Sequence, residues 1–178
     1  MKRTFAITIL LAFLTAIAIS SQSQQMPKPG PELKKLDFLA GNWTMNADVK
    51  GSPDSPGGKL TGTDQIEWME GGYFLVWHSK VMMGDKPYFS GTSFMGYDTN
   101  DKVYTYDNFN SVGEAEHSKG TIDGDTWTWS ADAKMGGTTY KGRYIMKILS
   151  PTAYSFKYDM SKDGTTWTTI MEGKNTKN

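Results

Sequence analysis

From Gly41 onward the chain is written in an almost unbroken series of period-two segments, and that pattern limits the architectures open to it more than any other feature. Trp43, Met45, Ala47 and Val49 alternate with Asn42, Thr44, Asn46 and Asp48, so one face of an extended segment is apolar and the other polar, as a half-buried strand requires. The pattern recurs from Leu60 to Trp68, where Leu60, Gly62, Asp64, Ile66 and Trp68 oppose Thr61, Thr63, Gln65 and Glu67. Asp64 is an acid on an otherwise apolar face. Further strands are expected over Tyr73 to Met83, Tyr88 to Tyr97, Val103 to Phe109, Glu114 to Ile122, Thr126 to Ala131 and Thr138 to Leu149. Two more follow, one carrying Tyr154, Phe156, Tyr158 and Met160 and a last one around Trp167, Thr169 and Met171. Asp123-Gly124 is a hairpin signal. In Tyr73 to Met83 both faces carry large residues, so both are expected to be covered.

About ten strand signals at a spacing of roughly 8–12 residues describe an all-β barrel or sandwich. Mixed faces, which place Asp64, Ser93, Asp107 or Thr169 among apolar neighbours, favour a single closed antiparallel barrel, because a dry sandwich core tolerates buried polar groups less well. The sandwich stays open as the rival. One segment alone reads as helix: in Glu32 to Leu39, Leu33 and Leu36, with Leu39 or Phe38, share a helical face that ends near Gly41. It is expected to plug one end of the barrel.

The ends carry addresses rather than fold. Lys2 and Arg3, an apolar run from Phe5 to Ile19, and small residues at Ala18 and Ser20 form a secretory signal over residues 1–20. The run is shorter than the ~20 residues of a spanning helix, and no cysteine follows it for lipid attachment. A periplasmic or secreted product without stable membrane insertion is expected. Residues 21–35, rich in Gln and Ser and then in alternating Pro, read as a flexible tether, residues 36–174 as the barrel, and 175–178 as a tail. Removing Lys2 and Arg3 leaves 17 basic against 19 acidic residues, a surface without bias toward nucleic acid. The absence of cysteine removes disulfides, thiolate catalysis and Cys-based metal or haem attachment.

Gly41-x-Trp43 after a short helical entry resembles the start of calycin barrels. The fuller set, Leu36-Asp37-Phe38-Leu39-Ala40-Gly41-Asn42-Trp43, Glu70-Gly71-Gly72-Tyr73, Gly96-Tyr97-Asp98 and Asp163-Gly164-Thr165-Thr166-Trp167, resembles the exported bacterial family known as domain of unknown function 1579. The resemblance implies a calycin-like barrel, of the lipocalin and nitrobindin kind, and no established activity. The chain departs from the expected aromatic and basic finish at Glu172 to Asn178, so a frayed closing strand is expected.

Groups able to carry chemistry are few. His78 and His117 each have a neighbouring serine, Ser79 and Ser118, which alternation throws to the opposite face; a Ser-His dyad within one strand is not expected, and a cross-strand one is not legible. No metal-ligand spacing is present, and Asp98-Thr99-Asn100-Asp101 is a turn that lacks the rest of a calcium loop. The eleven Met read as core filling. No catalytic residue, metal site or cofactor is assigned.

Aromatic density remains: six Trp and nine Tyr exceed what a core of this size needs. The reading is a non-catalytic barrel that holds a small hydrophobic or amphipathic ligand, lined by Trp43, Trp68, Trp77 and Tyr97, with Asp64 or His78 as polar anchors. The alternatives are a filled-core structural or interaction protein, a haem protein of nitrobindin type using His117, and a hydrolase. Oligomeric state is not legible.

Overall fold

The computed structural model describes residues 28–51, 56–135 and 137–178. The expected signal 1–20 and the tether as far as 27 lie outside the described residues. Ten strands run in one up-and-down circuit: β1 (Gly41–Val49), β2 (Gly58–Trp68), β3 (Leu75–Met83), β4 (Lys86–Asp98), β5 (Val103–Asn110), β6 (Ala115–Asp123), β7 (Thr126–Met135), β8 (Thr138–Ser150), β9 (Ala153–Ser161) and β10 (Thr168–Lys177). Each pairs antiparallel with its sequence neighbours, and β1 pairs with β10 from Trp43↔Lys177 to Val49↔Met171. The sheet is therefore a closed barrel and not a sandwich, with no open edge left to template aggregation. Several of its hairpins are tight. Between Asp123 and Thr126 only Gly124 and Asp125 turn the chain, and Gly124 sits at φ +54°, a left-handed conformation that glycine adopts without steric cost.

Alternation sorts the strands as the sequence predicts. Trp43, Ala47, Leu60, Ile66, Leu75, Trp77, Val81, Met95, Tyr104, Trp127, Trp129, Met146, Tyr154 and Phe156 are buried in one core. Glycines on the same inward face make room for the rings. A Cβ on Gly120 would stand 2.5 Å from the Trp129 indole nitrogen and one on Gly173 2.8 Å from the Phe156 ring, while Gly142 lies directly under the Tyr158 hydroxyl. Large aromatics are thus laid flat over strand backbone, each fully buried one contributing about 2–3 kcal/mol.

One end is closed by α1 (Pro31–Lys34) and the 3-10 turn Lys35–Phe38 that continues it. Proline in the first turn costs no intrahelical bond, and Leu33, Leu36 and Leu39 are buried beneath. Four bonds pin the plug: Trp43 Nε1 to the Leu39 carbonyl at 2.7 Å, Trp68 Nε1 to Asp37 Oδ1 at 2.9 Å, Tyr104 hydroxyl to the Glu32 carbonyl at 3.0 Å and Lys177 Nζ to the Phe38 carbonyl at 2.9 Å. The helix begins at Pro31, inside the stretch expected as tether, because Leu33 has a core to enter.

Three expectations are corrected. β10 continues through Lys177, so residues 175–177 are neither tail nor frayed; pairing with β1 from Met171 to Lys177 holds them, and Asn175 is buried. β3 starts at Leu75, and its outer face is open, with Phe74 before it 44 % exposed and His78 exposed. Trp167 lies in the loop before β10, on the outer wall, with its ring 3.9 Å from the Arg143 guanidinium. Arg143 in turn bonds Asp159 Oδ2 at 3.0 Å, and Lys157 and Thr169 Oγ1 reach the same carboxylate at 3.2 and 2.7 Å. Burial pushes this carboxyl up, but Thr169, Lys157 and Arg143 outweigh it and hold the group below its ordinary value.

Candidate functional site

The middle of the barrel is polar. β2 turns Asp64 inward because it shares a face with Leu60 and Ile66, and the residue is 8 % exposed. Ser79 on β3, its cross-strand partner, donates to Oδ1 at 2.7 Å. Asn175 on β10 donates to Oδ2 at 3.0 Å from 111 residues away in sequence. Burial pushes the Asp64 carboxyl above the ordinary range, and the opposing influence of Trp77, Ser79 and Asn175 is smaller. The Trp77 indole N–H lies within electrostatic reach of the carboxylate but makes no hydrogen bond of normal geometry.

Three tyrosines surround this group. Tyr106, Tyr144 and Tyr154 are pushed well above the usual phenol value, first by burial, and the Asp64 charge raises each further. Their rings form walls: Tyr144 stacks on Phe156 with centroids 5.3 Å apart, and Tyr106 meets Trp77 edge-on at 6.4 Å. Several buried polar atoms here have no hydrogen-bond partner, namely Trp77 Nε1, Trp129 Nε1, Tyr154 Oη and Asn175 Oδ1. Each such atom carries a desolvation cost of about 1–3 kcal/mol unless something meets it.

A second polar group lies toward the end opposite the plug. Ser93 Oγ bridges the Tyr106 hydroxyl at 2.9 Å and Asn108 Oδ1 at 3.0 Å. Asn108 Oδ1 accepts only, so the Ser93 proton goes to it and the Tyr106 proton goes to Ser93. Glu116 points inward on β6 and accepts from Ser118 Oγ. Tyr158 is pushed up by burial and then by the Glu116 and Glu114 charges.

Of the six residues expected to line a ligand, Asp64 and Trp77 come together at the centre. Trp43, Trp68 and Tyr97 are at the plugged end, where Trp43 and Trp68 hold the helix and Tyr97 packs edge-on against Tyr104 at 5.0 Å. His78 is on the outside, exposed, with Nδ1 3.1 Å from Thr92 Oγ1; β3 turns Trp77 and Ser79 inward, so alternation turns His78 out. His117 is also outside, 2.5 Å from Asp107 Oδ1, so neither imidazole reaches the interior and Asp107 is no core acid. Thr169 faces Asp159 and not the barrel interior. Asn175, Ser79, Tyr106, Tyr144, Tyr154 and Glu116 were not assigned from sequence. The signal for the tyrosines was their alternation with small or apolar residues; Asn175 had none.

An open depression of about 750 Å³ lies on the outer wall of β1 to β5, lined by residues including Asn42, Gln65, His78, Lys80, Thr92 and Phe109. Trp43, Asp64 and Ser79 of the inward face also border it, although Trp43 and Asp64 are themselves buried. Among the described residues, no three His, Asp or Glu side chains converge as a metal site.

The model of the family described as "Protein of unknown function (DUF1579)" matches residues 28–177. No protein of curated function matches the chain. Among solved structures, Rv2717c from M. tuberculosis is similar over 85 % of this chain and 99 % of its own, with a TM-score of 0.59 and 14 % identity. EF1p2_mFAP2b, solved bound to DFHBI, is similar over 82 % of this chain and 98 % of its own, with a TM-score of 0.43 and 13 % identity.

Proposed function

We propose that this chain, which belongs to the DUF1579 family of unknown function, is a non-catalytic binding protein whose barrel interior holds one small amphipathic molecule. The observation that carries the reading is the set of buried polar atoms around an inward carboxylate that make no hydrogen bond of normal geometry, Trp77 Nε1, Tyr154 Oη and Asn175 Oδ1 beside Asp64. A core selected only for filling would place apolar atoms there, since unmet polar atoms destabilise the empty protein. A ligand with one donor and one acceptor at its polar end would meet them, while Phe156, Tyr144 and Met146 cover its apolar part. Export of the chain, expected from residues 1–20, fits a carrier working outside the cytoplasm.

Tryptophan emission reports on the site, because Trp77 and Trp129 border it. Titration with a panel of fatty acids, alcohols, amines, isoprenoids and quinones should shift the emission and raise the melting temperature for at least one class, and Tyr106→Phe with Asp64→Asn should weaken that ligand. A panel that moves neither observable sinks the proposal and favours a filled-core interaction protein.

A further inference from the structure

We infer that the polar end of the ligand is a protonated amine, a conclusion that rests on the interior-binding reading above and names its chemical class. The argument is a charge account of the barrel interior. Two carboxylates face inward, Asp64 on β2 and Glu116 on β6, and both act electrostatically on the same Tyr106 hydroxyl between them. Among the described residues the only cation with its head inside the barrel is Lys177. It is committed elsewhere, donating to the Phe38 carbonyl at 2.9 Å with its ammonium 5.0 Å from the Trp43 ring, at the plugged end. Arg143 and Lys157, the nearest candidates on β8 and β9, bond Asp159 on the outer wall, and both histidines are outside.

The hydrogen-bond account points the same way. The Asp64 carboxylate accepts from Ser79 and Asn175 and has lone pairs to spare. Asn175 itself is 2 % exposed, and with its Nδ2 given to Asp64 its Oδ1 has no donor. With Ser79, Asn175 and the Trp77 N–H all turned to the carboxylate, Asn175 Oδ1 beside it is the acceptor left without a donor, and an ammonium carries three. The flanking groups are aromatic, Tyr144 stacked on Phe156 and Tyr106 edge-on to Trp77, and an open ring face attracts a cation and repels an anion. An isolated buried carboxylate is costly, whereas one that meets a cation among aromatic faces is stabilised. Glu116, nearer the end opposite the plug, would draw the same charge inward.

The test uses three probes of equal chain length, octylamine, octanol and octanoate, titrated below aggregation concentrations at pH 7 against the full chain and followed by tryptophan emission. Octylamine should bind at least tenfold more tightly than octanol, and octanoate least. Asp64→Asn, whose amide still accepts from Ser79 and donates to Asn175 Oδ1 once that amide turns over, should abolish the preference for amine over alcohol, and Glu116→Gln, on another strand, should reduce it. Equal affinity for the three probes, or a preference that persists in both variants, overturns the amine assignment and leaves an interior ligand site standing. Silence from all three probes overturns it too, and if the wider panel above is also silent the binding reading goes with it.

Discussion

Replacing Tyr154 by Phe removes one oxygen from the buried centre of the barrel, and its effect follows from whether that oxygen has a partner. Tyr154 is fully buried and its hydroxyl makes no hydrogen bond of normal geometry, although the Tyr144 hydroxyl lies near enough for a weak, poorly aligned one. A buried hydroxyl without a partner costs about 1–3 kcal/mol relative to water. The ring contacts with Trp43 at 5.0 Å and Phe38 at 6.2 Å survive the change, and the loss of a single atom leaves little cavity. Tyr154→Phe should therefore stabilise the ligand-free protein by about 1–2 kcal/mol, a rise in Tm of roughly 2–8 °C for a domain of this size. Urea unfolding followed by tryptophan emission measures it, with an unchanged m-value as the check that only the native state has moved. Binding of an interior ligand should weaken in the same variant, so stability and affinity move in opposite directions. A loss of more than about 1 kcal/mol would falsify the reasoning, for it would mean that the hydroxyl is already satisfied and that the central polar groups are a finished core.

Asp159→Asn should destabilise by about 2–4 kcal/mol at pH 7, since it weakens bonds to Arg143, Lys157 and Thr169 at a nearly fully buried carboxylate while leaving two cations able to rehydrate; because the folded-state carboxyl lies below its ordinary value of 3.8, this stability is present above that pH, is lost as pH falls through the folded value, and the difference between variant and wild type should close there. Asp64 has the opposite sign: its folded-state carboxyl is raised above 3.8, so its burden on folding is absent below that pH and grows as pH rises through the folded value, and Asp64→Asn should show a higher Tm than wild type at pH 7 and an equal one below pH 4. Gly120→Ala drives a methyl into the Trp129 indole; it should cost about 1–3 kcal/mol and shift the tryptophan emission, and a silent substitution would show that the ring can move aside. Trp68→Phe, which removes the bond to Asp37 Oδ1 at 2.9 Å, should loosen the plug and raise amide exchange at Leu33 and Leu36 before the barrel strands respond.

Much of the fold was legible in the residues. A period of two over strands separated by Gly, Asp and Asn turns names the strands, and it paired Trp127 with Trp129 and set Ser79 opposite His78 correctly. It failed where the pattern was not periodic. Tyr73 and Phe74 look like strand because they are large and aromatic, yet they belong to the turn before β3. Glu172 to Asn178 looks frayed because it is polar, yet it closes the barrel, since β1 pairs it on one side and β9 on the other. The site was legible only in part. Asp64 announced itself as an acid on an apolar face, whereas His78 was chosen for its chemistry on a strand whose two faces could not be told apart.

Sequence by itself determined which residues share a face, because successive strand side chains point to opposite sides of the sheet. It determined the all-β class, favoured a barrel over the sandwich that closure of β1 on β10 finally excludes, and marked the plug as the sole helix to be expected. The tertiary structure alone decided which face of β3 is inside and which residues from distant strands meet. Asp64 and Asn175 are 111 positions apart, and their contact depends on the stagger between β1 and its neighbours once the sheet closes, a property of all ten strands together. Local alternation contains no information on that stagger, so the central cluster of Asp64, Asn175, Tyr106, Tyr144 and Tyr154 exists only after closure.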